Sequence, residues 1–251
     1  MSVAASVSGP PRISVVLPVL DEAARIGKRL SELARLAFYE VIVVDGGSSD
    51  QTPAIARSFP GVLLVEAPRG RASQMNEGGR RATGDVLLFL HADVSLPADA
   101  AACIRGALAR PGTVAGAFRT WTVADGVGPK PWWSPLLHLA DLRSRYSQLP
   151  YGDQAIFLRR EVFWDAGGYP ELPLMEDLAL GRKLWTRGTV RTVPARVTVS
   201  GRRFIERPLY YTLLVNLLPL LFRLGVPASA LAAWYGNGRS GTHRSSVPGA
   251  P

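Results

Sequence analysis

Asp85-Val-Leu-Leu-Phe-Leu-His-Ala-Asp-Val-Ser-Leu-Pro97 is the stretch whose reading decides the fold. Its unbroken apolar run, residues 86–90, stops at two side chains able to ligate a metal, His91 and Asp93. A short apolar run bounded by polar residues reads as a strand buried on both faces, although periodicity alone leaves a buried helix open. In an open parallel sheet, ligands sit beyond the carboxyl ends of the strands. Asp93 would then stand where a bound phosphate and its cation are met. Taken alone, the same residue reads equally as the cap of a helix beginning near Pro97.

Upstream, residues 13–17 are β-branched and apolar and run into Pro18-Val-Leu-Asp-Glu22. Ile26, Leu30, Leu33 and Ala37 then recur at helical spacing, which puts Arg25, Lys28, Arg29 and Glu32 on the opposite, solvent face. A second buried run, residues 41–44, ends in Asp45-Gly-Gly-Ser-Ser-Asp50. The paired glycines permit a tight turn with positive φ, and Thr52-Pro53 is a good helix start. Residues 61–65 supply a third strand, and residues 70–82 carry Arg71, Gln74 and Asn76 before the strand at 86–90. Strands alternating with helices over short connections predict an α/β fold with right-handed crossovers. Three of its strands finish in carboxylates, namely Asp21/Glu22, Asp45 and Asp93, which points to a polar site along one sheet edge.

Downstream, the pattern predicts a helix ending at Leu108, a turn at Pro111-Gly112 and a strand over residues 114–118. Residues 121–135, rich in Gly, Pro and Trp, read as a loop crossing the sheet edge. Residues 136–146 suit a helix bearing Arg143 and Arg145, residues 154–158 a strand, and residues 161–165 a short helix stopped by Gly167-Gly168. A helical unit over 175–187 opens with Glu176 and Asp177, which the positive end of a helix dipole alone would accommodate.

At 251 residues, 47% hydrophobic and 20% charged, the chain can bury a sizeable core and is not disordered. Its net charge of +9 favours an anionic partner such as a nucleotide, a phospholipid surface or a nucleic acid. Nucleic acid is set aside, because the arginines spread along the chain and no recognised binding motif occurs. Cys103 is the single cysteine, which excludes an intramolecular disulfide and a zinc–cysteine cluster. The first eleven residues have neither a basic nor an apolar signal region, so a cytoplasmic location is expected.

With Asp45-Gly-Gly-Ser-Ser-Asp50, Asp93 and Glu176-Asp177 together in that order, the sequence resembles the family 2 glycosyltransferases of GT-A fold. Three motifs, His91-Ala-Asp93, Gly152-Asp-Gln154 and Leu174-Met-Glu-Asp177, resemble a bacterial subgroup named for arsenosugar biosynthesis. The resemblance implies an open, mostly parallel sheet flanked by helices, with a C-terminal helical extension. It divides the chain into a flexible start (1–11), a single domain (12–236) and a flexible tail (237–251). Within the domain it implies a nucleotide half to about residue 111, an acceptor half to about 206 and a helical segment beyond.

The implied activity is metal-dependent, inverting transfer of a sugar from a nucleotide-diphosphate sugar to an acceptor hydroxyl. Pro18, Leu20 and Glu22 match the loop that embraces the nucleoside, Asp45 the carboxylate that reads the base, and Arg71 the basic residue beside base and diphosphate. Asp93 matches the last Asp of the DxD element, a ligand for Mg²⁺ or Mn²⁺, with Ala92 beside the nucleotide. Glu176-Asp177 matches the acidic pair facing the acceptor, Asp177 being the general base. Gly152, Asp153 and Trp133 fall on the acceptor side. Two positions depart from the family pattern. Leu20 replaces an aromatic that often stacks on the base. His91 replaces the first Asp of DxD, and imidazole suits softer metals than Mg²⁺, so it either points away or favours Mn²⁺. The alternatives are a nucleotidyltransferase and a catalytically silent nucleotide-sugar-binding protein.

Other features have bland readings. Gly236-Asn-Gly-Arg-Ser-Gly241 fits a dinucleotide-binding pattern by letters but opens no strand-to-helix turn, and it reads as tail, as does His243. His138 reads as a packed or surface histidine. Trp132-Trp133 either stacks on an acceptor sugar or covers the core. Residues 208–222 are apolar but shorter than the roughly 20 residues that span a bilayer. They read as a buried helix, with peripheral membrane contact through 208–223 as the alternative, favoured by Arg202, Arg203 and Arg207 before and Arg223 after.

Overall fold

The computed structural model describes residues 9–123, 138, 141–142, 149–201 and 208–237. Four strands, β1 (Ile13–Val19), β2 (Glu40–Asp45), β3 (Val62–Glu66) and β4 (Val86–Phe89), lie in the order β3-β2-β1-β4, every neighbouring pair parallel. Every residue of β1 and β4 is buried, which is why their sequences are continuous apolar runs without alternation. Because the four strands run the same way, the segments after β1, β2 and β4 emerge along one edge, bringing Asp21/Glu22, Asp45 and Asp93 to the same end of the sheet.

Helices α1 (Ala23–Leu33), α2 (Thr52–Arg57) and α3 (Arg71–Arg81) make the crossovers. Ile26, Leu30, Leu33 and Ala56 pack on one face of the sheet, and Ala72 and Met75 on the other. α3 approaches the sheet closely because Gly78 has no side chain, and a Cβ there would collide with Val16 and Val44. Two expectations for α1 are corrected. The helix ends at Leu33, so Ala37 lies outside it, and Arg29 is buried and not on the solvent face.

The second half is built from β5 (Val94–Ser95), α4 (Ala100–Leu108), β6 (Thr113–Val123), a single 3₁₀ turn (Gly152–Gln154), β7 (Phe157–Arg159), α5 (Arg160–Asp165), α6 (Glu176–Trp185) and β8 (Thr189–Ser200). These strands extend the sheet as β4-β7-β6-β8-β5. β7 runs antiparallel to both neighbours, β6 and β8 are parallel, and β5 is antiparallel to β8. The sheet is therefore mixed. α4 begins at Ala100, with Asp99 at its N-cap and β5 before it, so Asp93 is not its cap. The strand expected over 154–158 starts later, at Phe157, because residues 152–154 form the 3₁₀ turn, and β6 runs on past Phe118 to Val123.

After β8, α7 (Pro208–Arg223) and α8 (Ala228–Asn237) fold back over α6, where Tyr211, Leu214, Leu218 and Leu231 pack with Leu174, Met175 and Leu178. α7 is helical as expected but has one buried face only. Trp132, Trp133, Arg143, Arg145, Arg202, Arg203, Arg207, His243 and the Gly238-to-Gly241 part of the glycine-rich stretch lie outside the described residues.

Candidate active site

Beyond β4 the chain leaves the sheet as a loop, residues 90–93, whose three successive carbonyls are each held from a different direction. The Val94 amide donates to the His91 carbonyl (3.1 Å), and the Ser200 amide at the end of β8 donates to the Asp93 carbonyl (3.0 Å). Arg29, reaching across from α1, donates Nε to the Ala92 carbonyl (3.3 Å) and Nη1 to Ser95 Oγ (2.8 Å), and it pairs with Glu32. The loop carrying Asp93 is thus fixed by a helix on one side and the far strand of the sheet on the other. Arg29 looked like a solvent-face residue because its Cα follows the polar stripe; only its long side chain reaches inward.

Asp93 lines a cleft of about 520 Å³. Pro18, Leu20 and Glu22 border it from the end of β1, Arg71 and Gln74 from α3, and His91 and Ala92 from the same loop as Asp93. Gly152 and Asp153 border it from the 3₁₀ turn, Asp177 from α6, and Tyr211, Leu218 and Tyr235 from the two C-terminal helices. Ten of the thirteen site residues expected from the sequence therefore share this cleft. Asp45 and Glu176 are buried and are not among its lining residues, and Trp133 lies outside the described residues.

The acidic pair at the start of α6 divides into one side chain facing in and one facing out. Met175, which precedes it, has φ +67°. Asp177 faces the cleft, its Oδ2 accepting from the Gly152 amide (2.6 Å) and its Oδ1 from the Leu178 amide (2.7 Å). Glu176 turns into the protein and pairs through Oε1 with Arg71 Nε at 3.1 Å. The Glu176 side chain is 4% exposed and that of Arg71 40%. Burial raises the Glu176 pKa, Arg71 pulls it down, Asp177 pushes it up again, and it ends above the ordinary glutamate value. Burial works against the Arg71 charge, but Glu176, Asp177, Tyr235 and Asp93 outweigh it and hold its pKa above normal. Arg71 thus stands in the field of carboxylates on both sides of the cleft.

His91 packs against Gly152. A Cβ on Gly152 would lie 2.7 Å from His91 Cε1, 3.0 Å from Nε2 and 3.5 Å from Asp177 Oδ2. The imidazole therefore stands beside Asp177 through a contact that only glycine permits. The turn is further held by Gln154, which accepts from the Tyr151 amide (2.9 Å) and donates to the Phe118 carbonyl (2.9 Å).

Buried at the end of β2, Asp45 organises its own turn. Its Oδ2 accepts from the amides of Gly47 (3.1 Å) and Ser48 (3.0 Å), and its Oδ1 from the Ser48 hydroxyl. Gln74, which sequence reading singled out without a role, donates Nε2 to the carbonyls of Val19 and Val44 (both 2.8 Å) and so ties together the ends of β1 and β2. The Tyr211, Leu218 and Tyr235 wall was not anticipated, since an apolar helix gives no sign of which side will face a cleft. Asp21 (φ +52°), Ala155 (φ +49°) and Met175 (φ +67°) are the non-glycine residues with positive φ among those described, and they adjoin the segments that line the cleft. Backbone strain of this kind gathers at functional sites.

Among the described residues no three His, Cys, Asp or Glu side chains gather into a metal cage. Asp93 nevertheless presents a hard oxygen donor to the cleft, which His91 also lines. Mg²⁺ takes one or two protein carboxylates and completes its shell with substrate phosphates and water, so this donor set fits a cation that arrives with a diphosphate.

A parallel sheet half ending in carboxylates, joined to a mixed half that carries an acidic helix start across the cleft, is the architecture of GT-A glycosyltransferases. The mannosyltransferase PcManGT from Pyrobaculum calidifontis, solved in complex with GDP-Man and Mn²⁺, shares this fold with a TM-score of 0.65 at 21% identity, over 91% of this chain and 70% of that one. The chain belongs to glycosyl transferase family 2, whose sequence profile matches residues 14–167. An uncharacterized glycosyltransferase of Mycobacterium tuberculosis is 30% identical over 185 residues, 67% of this chain and 80% of that protein. The glycosyltransferase AglE of Haloferax volcanii is 36% identical over 95 residues, 34% of this chain and 31% of AglE, so the match spans about a third of that relative's length.

Proposed function

We propose that the protein moves a sugar from a nucleotide-diphosphate sugar onto an acceptor hydroxyl, with inversion at the anomeric carbon. The observation that carries this reading is that Asp93 and Asp177, from segments 84 residues apart in sequence, line one cleft with Arg71 in the field of both. Asp177 is the general base: its carboxylate, oriented by the Gly152 and Leu178 amides, takes the proton from the attacking hydroxyl as the new bond forms. One base opposite the leaving group gives a single displacement, hence inversion. Arg71 meets the diphosphate, and Glu176 fixes the guanidinium from behind. Asp93 would hold Mg²⁺ or Mn²⁺ together with that diphosphate, and the cation supplies neutralisation of the charge that grows as the nucleotide departs.

Pro18, Leu20, Glu22 and Ala92 embrace the nucleoside, whose remote contacts orient the reacting carbon. Asp45 reads the base: a carboxylate has about four acceptor positions, so the three donors of its own turn leave one for a ring N–H. Gly152 and Asp153 border the acceptor. Support for a nucleotide-sugar donor and for a divalent cation comes from the GDP-Man and Mn²⁺ bound by the Pyrobaculum neighbour. The narrower likeness to the subgroup named for arsenosugar biosynthesis rests on the motifs around His91, Gly152 and Asp177, and no substrate is drawn from it. No helix among the described residues is long and apolar enough to cross a membrane.

A thermal-shift screen of UDP-, GDP- and TDP-sugars, with and without Mn²⁺, tests this. A ligand at 100 times its Kd adds about 2.7 kcal/mol of apparent stability, so one base series should raise Tm and Mn²⁺ should enlarge the effect. No shift with any donor contradicts the reading.

A further inference from the structure

α7 has two apolar faces, and among the described residues only one is packed against the core. Tyr211, Leu214 and Leu218 point into the protein. On the outside, Leu209, Leu213, Leu217, Leu220 and Leu224 recur at spacings of four, four, three and four, a single continuous stripe; Leu209, Leu213 and Leu224 are 65%, 67% and 73% exposed. Isolated surface leucines need no explanation, but a contiguous row of five marks a contact surface. Trp234 of α8, half exposed, lies beside the row, its carbonyl accepting from the Tyr210 hydroxyl at 3.3 Å.

The part of the sequence that contains this row is strongly basic. From residue 178 to residue 251 the chain holds eleven arginines and lysines and one acidic residue, Glu206, so its entire positive excess lies in the last third. Arg223 ends α7, and the exposed Arg182 places its guanidinium over the Phe222 ring at 5.1 Å from the centroid. We propose that this face docks on an anionic phospholipid surface, α7 lying in the plane of the interface with its leucine row among the acyl chains and its arginines at the headgroups. A 16-residue helix spans about 24 Å, less than the roughly 30 Å hydrocarbon core, so it lies on the bilayer and does not cross it. A second copy of the chain is the lesser fit, because docking stripe to stripe brings Arg182 and Arg223 of one copy towards those of the other.

The proposal deepens the transferase reading, on which it rests for its functional meaning. The reverse side of α7 supplies Tyr211, Val215, Leu218 and Pro219 to the cleft, so docking would hold the cleft about one helix diameter, roughly 10 Å, from the lipid surface. The experiment is co-sedimentation of the full chain with phosphatidylglycerol and phosphatidylcholine vesicles at low and high salt. The comparison is a Leu213→Gln/Leu220→Gln variant, whose replaced side chains are exposed and leave the core intact.

The parent should sediment with phosphatidylglycerol vesicles at low salt and much less with phosphatidylcholine or at high salt. The variant should bind on the order of a hundredfold more weakly. No vesicle binding by the parent, or equal binding by the variant, overturns the proposal. Self-association in the absence of vesicles that the variant abolishes would assign the stripe to a second copy instead. Donor-induced thermal shift, measured on both proteins, should be the same. Its absence from the parent would refute the transferase reading while leaving the vesicle result standing.

Discussion

Adding one methyl group at Gly152 probes the contact that joins the loop after β4 to the start of α6. The backbone there has no positive φ, so alanine is conformationally permitted and the cost comes from contact alone. The new Cβ would lie 2.7 Å from His91 Cε1 and 3.0 Å from Nε2, where carbon atoms rest at about 3.5–4.0 Å. The imidazole must retreat by roughly 0.5–1 Å, and overpacking of this size costs about 1–3 kcal/mol. A displacement near 1 Å beside Asp177, whose Oδ2 accepts from the same Gly152 amide, is worth on the order of a hundredfold in turnover. Urea denaturation and steady-state kinetics of Gly152→Ala measure the two effects. In a His91→Ala background the clash has no partner, so the stability cost should vanish or reverse by about 0.4–1 kcal/mol from the stiffer unfolded chain. Equal destabilisation in both backgrounds would refute a collision with His91, and unchanged turnover would refute the positioning argument.

Gln74→Leu removes the amide that bridges the Val19 and Val44 carbonyls, and should cost about 1–3 kcal/mol by urea denaturation. An unchanged midpoint would mean that other donors satisfy both carbonyls. Glu176 has a folded-state pKa raised above its ordinary 4.5, chiefly by burial and only partly offset by Arg71. Protonation therefore favours the fold: this contribution is fully present below the unfolded value and is lost as pH rises through the raised one. The stability of the parent minus that of Glu176→Gln should accordingly fall as pH rises from about 4 upward. A difference independent of pH, or one that grows, would contradict the burial argument.

Legibility in the sequence followed the physics of burial. β1, β2 and β4 were readable because strands covered on both faces are written as unbroken apolar runs, and the carboxylates after them stood out against those runs. The parallel order then placed Asp93 on the same edge as the loop after β1 without any knowledge of side-chain contacts. β8 was missed for the complementary reason. Thr189–Ser200 alternates apolar residues with Arg191, Pro194 and Arg196, as suits a strand with one exposed side, and Pro194 argues locally against a strand. β5 has two residues and exists only because β8 offers it a partner. Long side chains hid their destinations too: Arg29 belongs to the polar stripe of α1 by position, yet it holds the Asp93 loop by reach. The outer leucines of α7 read as core because residue type records hydrophobicity and not which side is covered.

The central claim, that Asp177 receives the acceptor's proton, is tested most directly by Asp177→Asn, measured for donor binding by thermal shift and for turnover by product formation. The amide keeps the size of the side chain but has no basic oxygen pair. The account predicts an unaltered donor-induced shift with turnover reduced on the order of 10²–10⁴-fold. Turnover close to that of the parent would take the proton-accepting role away from Asp177.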